Sequence, residues 1–321
     1  DNSFNSRINL IAIEEPETYM HPQMQELFIR YINDAIITLL SIKQKKINSQ
    51  LIITTHSSHI LNSKIQEGGS FNNINYITAN NNQAFVIPLS DEKIVSNGGI
   101  SNEEFRFIKK HIKYKFSDMF FADAVILVEG ISEYNLLPYY LERSKKLKNK
   151  YISILNINGA HGMVYNTLLK TLKIPTVIIT DLDIKRDKEE KKTYKQVNRL
   201  AGRETTNQTI MYYNLDGKDI SNVPEYFRDE NIYVTFQNKI GYYYPTSFEE
   251  AFVASNYDNE IVNEVLKRIK PDIYNEILGN PINLLNNKKN SYKWQCKLAN
   301  AKSEFSNEIL YNLLTMEGSI P

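Results

Sequence analysis

The sequence predicts an α/β fold made of two successive parallel-sheet units and a helical C-terminal region. An apolar strand, an amphipathic helix and a second apolar strand follow one another in residues 8–57 and again in residues 124–180, which is the order of a parallel sheet. In both units, acidic residues stand directly after an apolar run. Because ligands bind at the carboxyl ends of parallel strands, we expect one site in each unit.

The composition is that of a folded protein without a membrane span. Hydrophobic residues make up 42% and charged residues 23% of the sequence. The length of 321 residues is enough for two or three domains. Every apolar stretch is shorter than the roughly 18 residues that indicate a spanning helix, and the N-terminus has no signal-like segment. The single cysteine, Cys296, excludes an internal disulfide framework and a Cys-rich zinc site. We expect a cytoplasmic protein that contacts no membrane.

The net charge of +1 does not by itself indicate a nucleic-acid-binding protein. Lysine and arginine are nevertheless clustered, in residues 143–150, 185–195 and 286–297. One such cluster is typical of a solvated surface, whereas several clusters near an acidic metal site could neutralise phosphates.

The first unit starts with a predicted buried strand, INLIAIEEPE (8–17), and a helix from Pro22. The apolar face of that helix comprises Met24, Leu27, Phe28, Tyr31, Ile32, Ala35 and Ile36. A second strand, SQLIITTHS (49–57), follows, and residues 74–89 predict a hairpin that turns at residues 80–82. Residues 101–116 read as a basic helix that could join two domains.

In the second unit, the pattern predicts alternating strands and helices: strand 124–128, helix 132–144 capped by Ser132, strand 151–155, helix 161–171 and strand 176–180. Residues 184–195 read as an exposed, mobile loop. The apolar segments TIMYYNL (209–215) and NIYVTFQ (231–237) predict further strands, and the chain is mostly helical from Glu249 onward.

Two acids, Glu14 and Glu15, follow the first strand, and His56 follows the second. This arrangement suits nucleotide hydrolysis, in which one acid helps hold the magnesium water shell and another orients or deprotonates the attacking water. An imidazole at the end of the neighbouring strand could touch the same phosphate. The alternative is an ordinary pair of strands with acids at their ends.

The segments LIAIEEPETYMHP and LIITTHSSHIL resemble the Walker B and switch-histidine segments of ABC-type ATPases related to SMC and RecF-like proteins. The resemblance implies that Glu14 takes the magnesium-associated position, Glu15 that of the catalytic glutamate and His56 that of the switch histidine, with ATP and Mg²⁺ as ligands. The sequence contains no G-x-x-x-x-G-K-[ST] phosphate loop. We therefore expect the C-terminal part of an ATPase, which does not hydrolyse ATP by itself.

Four acids of the second unit form the other candidate site: Glu129, Glu133, Asp181 and Asp183. Glu129 ends one strand, Asp181 ends its expected neighbour, Glu133 lies in the following helical turn, and Asp183 could point the same way as Asp181 if the strand continues. Divalent cations would relieve the repulsion between these carboxylates, and oxygen ligands favour Mg²⁺ or Mn²⁺ over zinc. Two such ions about 4 Å apart can drive cleavage of a phosphodiester.

VILVEGISE, NINGAHGM and VIITDLD resemble the conserved segments of the TOPRIM domain of topoisomerases, DnaG-type primases and nucleases. An ATPase segment followed by TOPRIM resembles the OLD (overcoming lysogenization defect) family of ATP-dependent endonucleases, which includes the nuclease subunit of Gabija anti-phage defence. The resemblance implies that the four acids bind metal. It also implies one further carboxylate, Glu249 or alternatively Glu250, and a lysine that stabilises charge on the cleaved phosphate, Lys302 or alternatively Lys293.

The resemblance implies domains at residues 1–98 (ATPase part), 99–120 (linker helix), 121–256 (TOPRIM) and 257–321 (helical region). It also implies DNA as substrate, a homo-oligomer formed through the ATPase domains and a partner protein of a defence system. Lys185 stands where a topoisomerase has a third acid, and primase-type cysteines are absent, which favours a nuclease. The alternatives are a nucleotide-gated DNA-binding scaffold without cleavage and a topoisomerase-like enzyme.

A few other residues carry weaker expectations. His21 reads as a turn residue, and His59 is expected to pack or cap a helix. His161 lies between two glycines near the TOPRIM site and could touch substrate. Trp294 and Cys296 are both expected to pack within the helical region.

Overall fold

The structure is a computed structural model that describes residues 9–41, 49–80, 83–96, 101–112, 117–159, 161–315 and 320–321. It divides into two compact units, Asp1–Ala122 and Asp123–Pro321. The predicted turn at residues 81–82 and the end of the predicted basic helix, residues 113–116, lie outside the described residues.

The first unit begins with a strand, a helix and a parallel strand, and continues with a hairpin and two short helices. Its elements are β1 (Asn9–Glu14), a 3-10 helix (Pro16–Tyr19), α1 (Pro22–Ser41), β2 (Ser49–Thr54), α2 (Ser58–Gly68), β3 (Ile74–Asn80), β4 (Gln83–Leu89), α3 (Asp91–Ser96), α4 (Asn102–His111) and a 3-10 helix (Ser117–Phe121).

β1 and β2 pair in parallel as predicted, but β1 is not buried. Leu10 is 62% exposed and Ile52 is 42% exposed. Leu10 and Ile52 lie on the same face of the pair, because Ala12 is in register with Ile52, so this face is open among the described residues. The sequence pattern could not show this, because an apolar strand looks the same whether or not another layer covers it.

The predicted apolar face of α1 is wrong at several positions. Met24, Leu27 and Tyr31 are exposed, whereas Gln25 and Ile29 are buried. The physical reason is that α1 packs against α2, where Ser57 donates its hydroxyl to Oε1 of Gln25 at 2.5 Å. The buried face is therefore rotated relative to the apolar pattern.

α4 packs within the first unit. A capping box between Ser101 and Glu104 starts the helix, and Phe105 and Ile108 are buried. The ring of Phe105 lies 6.0 Å from that of Phe71. This apolar packing fixes α4 to the unit that precedes it.

The second unit is a mixed sheet with helices and a long helical C-terminal region. Its elements are β5 (Ala124–Val128), α5 (Ile131–Arg143), β6 (Ile152–Asn156), a 3-10 helix (Gly162–Tyr165), α6 (Asn166–Leu172), β7 (Thr176–Ile179), α7 (Lys188–Lys192), α8 (Gln208–Tyr213), β8 (Tyr226–Asp229), β9 (Ile232–Thr235), α9 (Phe248–Ser255), α10 (Glu260–Ile269), α11 (Pro271–Leu278), α12 (Leu285–Lys289), α13 (Ser291–Leu298) and α14 (Lys302–Thr315).

The five-stranded sheet has the order β6-β5-β7-β9-β8, with β8 antiparallel to β9 and the other pairs parallel. β5 and β7 are neighbours, and Val128 is in register with Ile179. Both strands therefore end at the same level, which brings the residues that follow them to one edge of the sheet.

The C-terminal helices pack on α5 and α9 through one apolar cluster. Leu136 and Tyr139 of α5 share this cluster with Trp294 of α13 and Phe305 of α14. Trp294 is fully buried, and its indole N–H donates to Oδ1 of Asn287 at 2.8 Å. The helical region is thus part of the second unit. None of the helices among the described residues has the length and apolar character of a membrane span.

Two predictions for the second unit are wrong. TIMYYNL forms mainly α8, because Asn207 caps a helix there by accepting from the backbone N–H of Ile210. Residues 184–195 are not exposed throughout: they contain α7, and the Arg186 side chain is 1% exposed. Its guanidinium stacks on Tyr292 at 3.7 Å from the ring centroid.

Candidate active site

Glu129 and Asp181 meet at the edge of the sheet where β5 and β7 end. The backbone N–H of Glu129 donates to the carbonyl of Ile179 at 3.2 Å. Oε2 of Glu129 accepts from the backbone N–H of Asp181 at 3.0 Å. The two residues therefore face the same side, as the positions of the two motifs after neighbouring strands predicted.

The Glu129 carboxylate is held through one of its two oxygens. Besides the N–H of Asp181, Oε2 accepts the hydroxyl of Thr180 and the amide Nδ2 of Asn207, the latter at 3.0 Å. Asn207 is fully buried and also donates to Oγ1 of Thr180 at 2.9 Å. Oε1 of Glu129 takes none of these bonds.

Asp181 is held in the same one-sided way. Its Oδ1 accepts from the amide of Gln237 at 2.8 Å and from the backbone N–H of Phe248, at the start of α9, at 2.9 Å. Burial raises the pKa of Asp181 well above its usual range, and the negative charges of Glu133, Glu129, Asp183 and Glu249 add to this.

Asp183 reaches the site by a turn and not by continuation of the strand. β7 ends at Ile179, and Asp183 has a left-handed backbone with φ of 47°, which Asp tolerates better than most residues. Its Oδ2 lies 3.4 Å from Nδ2 of Asn207. Burial, and then the charge of Glu129, raises the pKa of Asp183 to about 6.

Glu133 folds back over Gly130. A Cβ at position 130 would lie 2.5 Å from Oε2 of Glu133, so a larger residue there would displace the Glu133 carboxylate. That oxygen is buried without a hydrogen-bond partner. Burial, followed by the charges of Glu249 and Glu129, raises the pKa of Glu133 to about 7.

The predicted helix cap at Ser132 is wrong, since α5 begins at Ile131 and Gly130 is its N-cap residue. Ser132 is instead fully buried and donates its hydroxyl to Oε1 of Glu249 at 2.8 Å. Nζ of Lys302 lies 2.9 Å from the other oxygen of Glu249. Burial alone would lower the pKa of Lys302, but Glu249, and then Asp181 and Glu133, outweigh it and raise that pKa.

The alternative residues lie elsewhere. Glu250 is fully buried, with an oxygen 3.8 Å from the guanidinium of Arg186. Nζ of Lys293 lies 2.6 Å from Glu276. Of each pair, Glu249 and Lys302 are the residues that interact electrostatically with Glu133 and Asp181.

The donor set fits a hard divalent cation. All candidate ligands are carboxylates, which Mg²⁺ and Mn²⁺ prefer, and the buried, unpartnered Oε2 of Glu133 lacks the contact that a cation would supply. Among the described residues, no three acidic, histidine or cysteine groups already converge on a single ligand point. Binding would therefore draw these side chains closer together.

Asn207, Gln237 and Thr180 are site residues that the motifs did not identify. Thr180 and Gln237 had a usable signal, because each is a polar residue directly after an apolar run, like Glu129. Asn207 had none, since it lies before a segment that reads as a strand.

In the first unit the structure brings Glu15 and His56 together. Nε2 of His56 lies 3.3 Å from Oε1 of Glu15, with the two side chains 82% and 48% exposed. Glu15 has a left-handed φ of 41°. Glu14 is the last residue of β1, opposite Thr54 of β2, and is exposed.

The expectations for the three other histidines, Trp294 and Cys296 have different outcomes. His21 accepts two backbone N–H bonds at the start of α1, as expected of a turn residue, and Nδ1 of His59 in α2 lies 3.7 Å from Glu26. His161 is exposed. Trp294 is buried as predicted, but Cys296 is exposed, so its predicted packing is wrong. The helix turns its Trp face to the core and its Cys face outward.

Two known families match this sequence. The family "Overcoming lysogenization defect protein-like, TOPRIM domain" matches residues 120–183, and the family "AAA ATPase domain" matches residues 1–61. The chain thus carries a segment that matches an ATPase domain ahead of a segment that matches an OLD-like TOPRIM domain, and the resemblance noted in the motifs is confirmed. The narrower ABC-type assignment stays a prediction.

The chain is similar to named nucleases along its length. It is 54% identical to Endonuclease GajA of Bacillus cereus strain HuB5-5, over 100% of the chain and 48% of that protein. It is 26% identical to Endonuclease GajA of strain VD045, over 64% of the chain and 32% of that protein. It is also 26% identical to Old nuclease of Escherichia phage P2, over 57% of the chain and 29% of that protein. The chain spans about half or less of the length of these relatives.

Proposed function

We propose that the second unit is the cleavage site of a divalent-metal-dependent DNA endonuclease and that the first unit is part of an ATPase that regulates it. The observation that carries this proposal is the meeting of Glu129, Glu133, Asp181 and Asp183 at one sheet edge, with the pKa of the last three raised. The named endonucleases to which the chain is similar support it.

The carboxylates of Glu129, Glu133, Asp181 and Asp183 would hold Mg²⁺ or Mn²⁺. Bound there, the metal would supply an activated water and stabilise the leaving 3′-oxygen. Glu249 remains a candidate ligand, but its two oxygens are held by Ser132 and Lys302, so it would have to release one of them. The Lys302 ammonium has three N–H donors and, beyond its contact with Glu249, can donate to the phosphate that is cut.

A polyanionic substrate suits the surface that follows the acids. Residues 185–203 hold eight Lys or Arg and three Asp or Glu. Lys188, Lys191, Lys192 and Arg199 are exposed. Lys195, Arg199 and Arg203 line one surface recess. Such cations bind phosphates without reading sequence, which supports DNA as the substrate.

For the first unit, we propose that Glu14 and Glu15 act on an ATP-bound Mg²⁺ and on the attacking water, and that His56 contacts the γ-phosphate. The 3.3 Å contact between His56 and Glu15 supports a shared site. We also propose that the protein assembles through its ATPase domains, acts with a partner protein and serves in anti-phage defence in the cytoplasm. These parts of the proposal are supported by the family resemblance alone. Plaque counts with and without Glu129→Gln test the defence role.

The decisive experiment is incubation of supercoiled plasmid with the purified full-length protein and Mg²⁺ or Mn²⁺. We expect nicked or linear DNA, with the rate reduced more than about 100-fold by Glu129→Gln, since loss of a ligand exceeds the 10–100-fold effect of outer-shell changes. Glu142→Gln, which removes an exposed acid of α5, is the matched control and should cut normally.

The alternatives give different products in the same assay. A topoisomerase-like enzyme would relax the plasmid without lasting nicks. A scaffold would bind DNA in an ATP-dependent way and leave it intact. Equal cutting by Glu129→Gln and the wild type would refute the site.

A further inference from the structure

Asn207 is a neutral, fully buried side chain that touches several members of the acidic site. Its Nδ2 donates to Oε2 of Glu129 at 3.0 Å and to Oγ1 of Thr180 at 2.9 Å, and it lies 3.4 Å from Oδ2 of Asp183. Thr180 in turn donates its hydroxyl to the same oxygen of Glu129. Asn207 and Thr180 thus form a closed hydrogen-bonded ring with the carboxylate.

The orientation of the Asn207 amide is fixed by the fold. Its Oδ1 accepts from the backbone N–H of Ile210 at 3.1 Å, as the N-cap of α8. Because the oxygen is used there, the NH₂ group must face the carboxylates. Its own backbone N–H donates to Oγ1 of Thr205 at 3.0 Å, which anchors the residue on the other side.

A neutral donor acts differently here from a cationic one. Lys302 pairs with Glu249 at 2.9 Å and offsets its charge. Asn207 and Thr180 satisfy Oε2 of Glu129 by hydrogen bonds and leave the full negative charge on the carboxylate. Each donor that the described residues supply to this carboxylate reaches Oε2, so Oε1 is the oxygen presented to a cation. Hydrogen bonds of this kind orient metal ligands in proteins.

We propose that Asn207, with Thr180, is a positioning residue that holds Oε2 of Glu129 and presents Oε1 to the divalent metal. This rests on the proposed function, because it assigns Asn207 to the same site. Neither residue contacts metal or substrate in this role. They hold the Glu129 side chain in one orientation before the metal binds, so that metal binding does not have to order this side chain.

The test measures Mn²⁺ dissociation constants of the 321-residue chain by electron paramagnetic resonance, together with thermal midpoints. Asn207→Ser keeps a side chain that can cap α8 but is too short to reach Glu129. Thr180→Val removes the bridging hydroxyl at nearly constant side-chain volume. It tests the same inference if Asn207→Ser does not fold. Asn287→Ser is the control, because Asn287 is equally buried and its amide bonds Asn263 and Trp294 instead.

We expect Mn²⁺ to bind about 10- to 100-fold more weakly to Asn207→Ser and Thr180→Val, the range for residues that orient a ligand. Asn287→Ser should change Mn²⁺ binding less than about 3-fold, even if its thermal midpoint falls as far as that of Asn207→Ser. Wild-type affinity in a folded Asn207→Ser or Thr180→Val protein would overturn the inference alone. So would an equal loss in Asn287→Ser. A wild-type chain that binds no Mn²⁺ would overturn the proposed function and the inference with it.

Discussion

The two candidate sites have the same local construction but hold their acids differently. In each, an acid after a parallel strand has a left-handed backbone, Glu15 with φ of 41° and Asp183 with φ of 47°. In the first unit, the side chains of Glu15 and His56 are 48% and 82% exposed. In the second, Asp181 and Glu133 are buried, and protein donors hold one oxygen of Asp181.

This difference shows that the second unit holds its acidic side chains in place by its own burial and hydrogen bonds, whereas the first unit leaves its acids exposed. In the second site, burial and then the repulsion between neighbouring carboxylates raise the pKa values of Glu133, Asp181 and Asp183, and the proposed cation would relieve that repulsion. The first is open, and its sequence supplies acids and a histidine but no phosphate loop.

The largest expected contrast is between the strands that lead into the two sites. Leu127 of β5 is fully buried, whereas Leu10 of β1 is 62% exposed. Leu127→Ala should cost about 2–5 kcal/mol of unfolding free energy through lost burial and a cavity. Leu10→Ala should cost less than about 0.5 kcal/mol. Hydrogen exchange of the β5 and β1 amides measures both, and equal costs would contradict the contrast.

The next effect concerns Lys302, the cation that pairs with Glu249 at the acidic site. Lys302→Met should lower the cleavage rate of the full-length protein about 100- to 1000-fold, as loss of a donor to developing charge does. Mn²⁺ binding should not weaken, because a positive charge leaves the site. Lys293→Met, which breaks a pair with Glu276, is the control. Parallel loss of metal binding and cleavage would show that Lys302 only supports the structure.

A smaller effect is expected from the close approach at Gly130. Gly130→Ala would put a methyl group 2.5 Å from Oε2 of Glu133, so Glu133 must move and Mn²⁺ affinity should fall by about 10-fold or more. Gly68→Ala, at the end of α2 in the first unit, meets nothing within 4 Å and should leave that affinity as it was. Unchanged binding by Gly130→Ala would remove Glu133 from the site.

The smallest effect concerns Glu190, an acid of the second unit that pairs with Arg203. Two hydrogen bonds from Arg203, with the backbone N–H of Asp187 and the charges of Arg203 and Lys195, lower the pKa of Glu190 to about 2. A lowered folded-state pKa adds stability above the ordinary value of 4.5, which is lost as the pH falls from 4.5 towards 2.

Glu190→Gln should therefore be less stable than the wild type by about 1 kcal/mol at pH 7. The gap should close between pH 4.5 and pH 2. Denaturant melts across this range measure it. A gap that does not depend on pH would mean that the pair with Arg203 contributes nothing.

The sequence predicted the residues whose position follows from strand order. Glu129 and Asp181 meet because β5 and β7 are neighbours in register, and Glu133 follows from one helical turn after a glycine. Asp183 was expected by strand alternation but arrives through a left-handed turn. Alternation cannot foresee where a strand stops.

Residues that act through hydrogen bonds were harder to predict. Asn207 comes from a segment whose apolar pattern favoured a strand, and its cap to Ile210 made α8 instead. Burial in the first unit was also beyond the sequence, because apolar residues such as Leu10 are buried only where another layer covers them.

The most direct test of the account is a Mn²⁺ titration of the 321-residue chain and of Glu129→Gln and Asp181→Asn, followed by electron paramagnetic resonance. These acids follow different strands, so the account predicts that each substitution weakens the same bound Mn²⁺, by more than about 10-fold. Wild-type Mn²⁺ binding in either folded variant, or loss of a different ion in each, would contradict the single shared site.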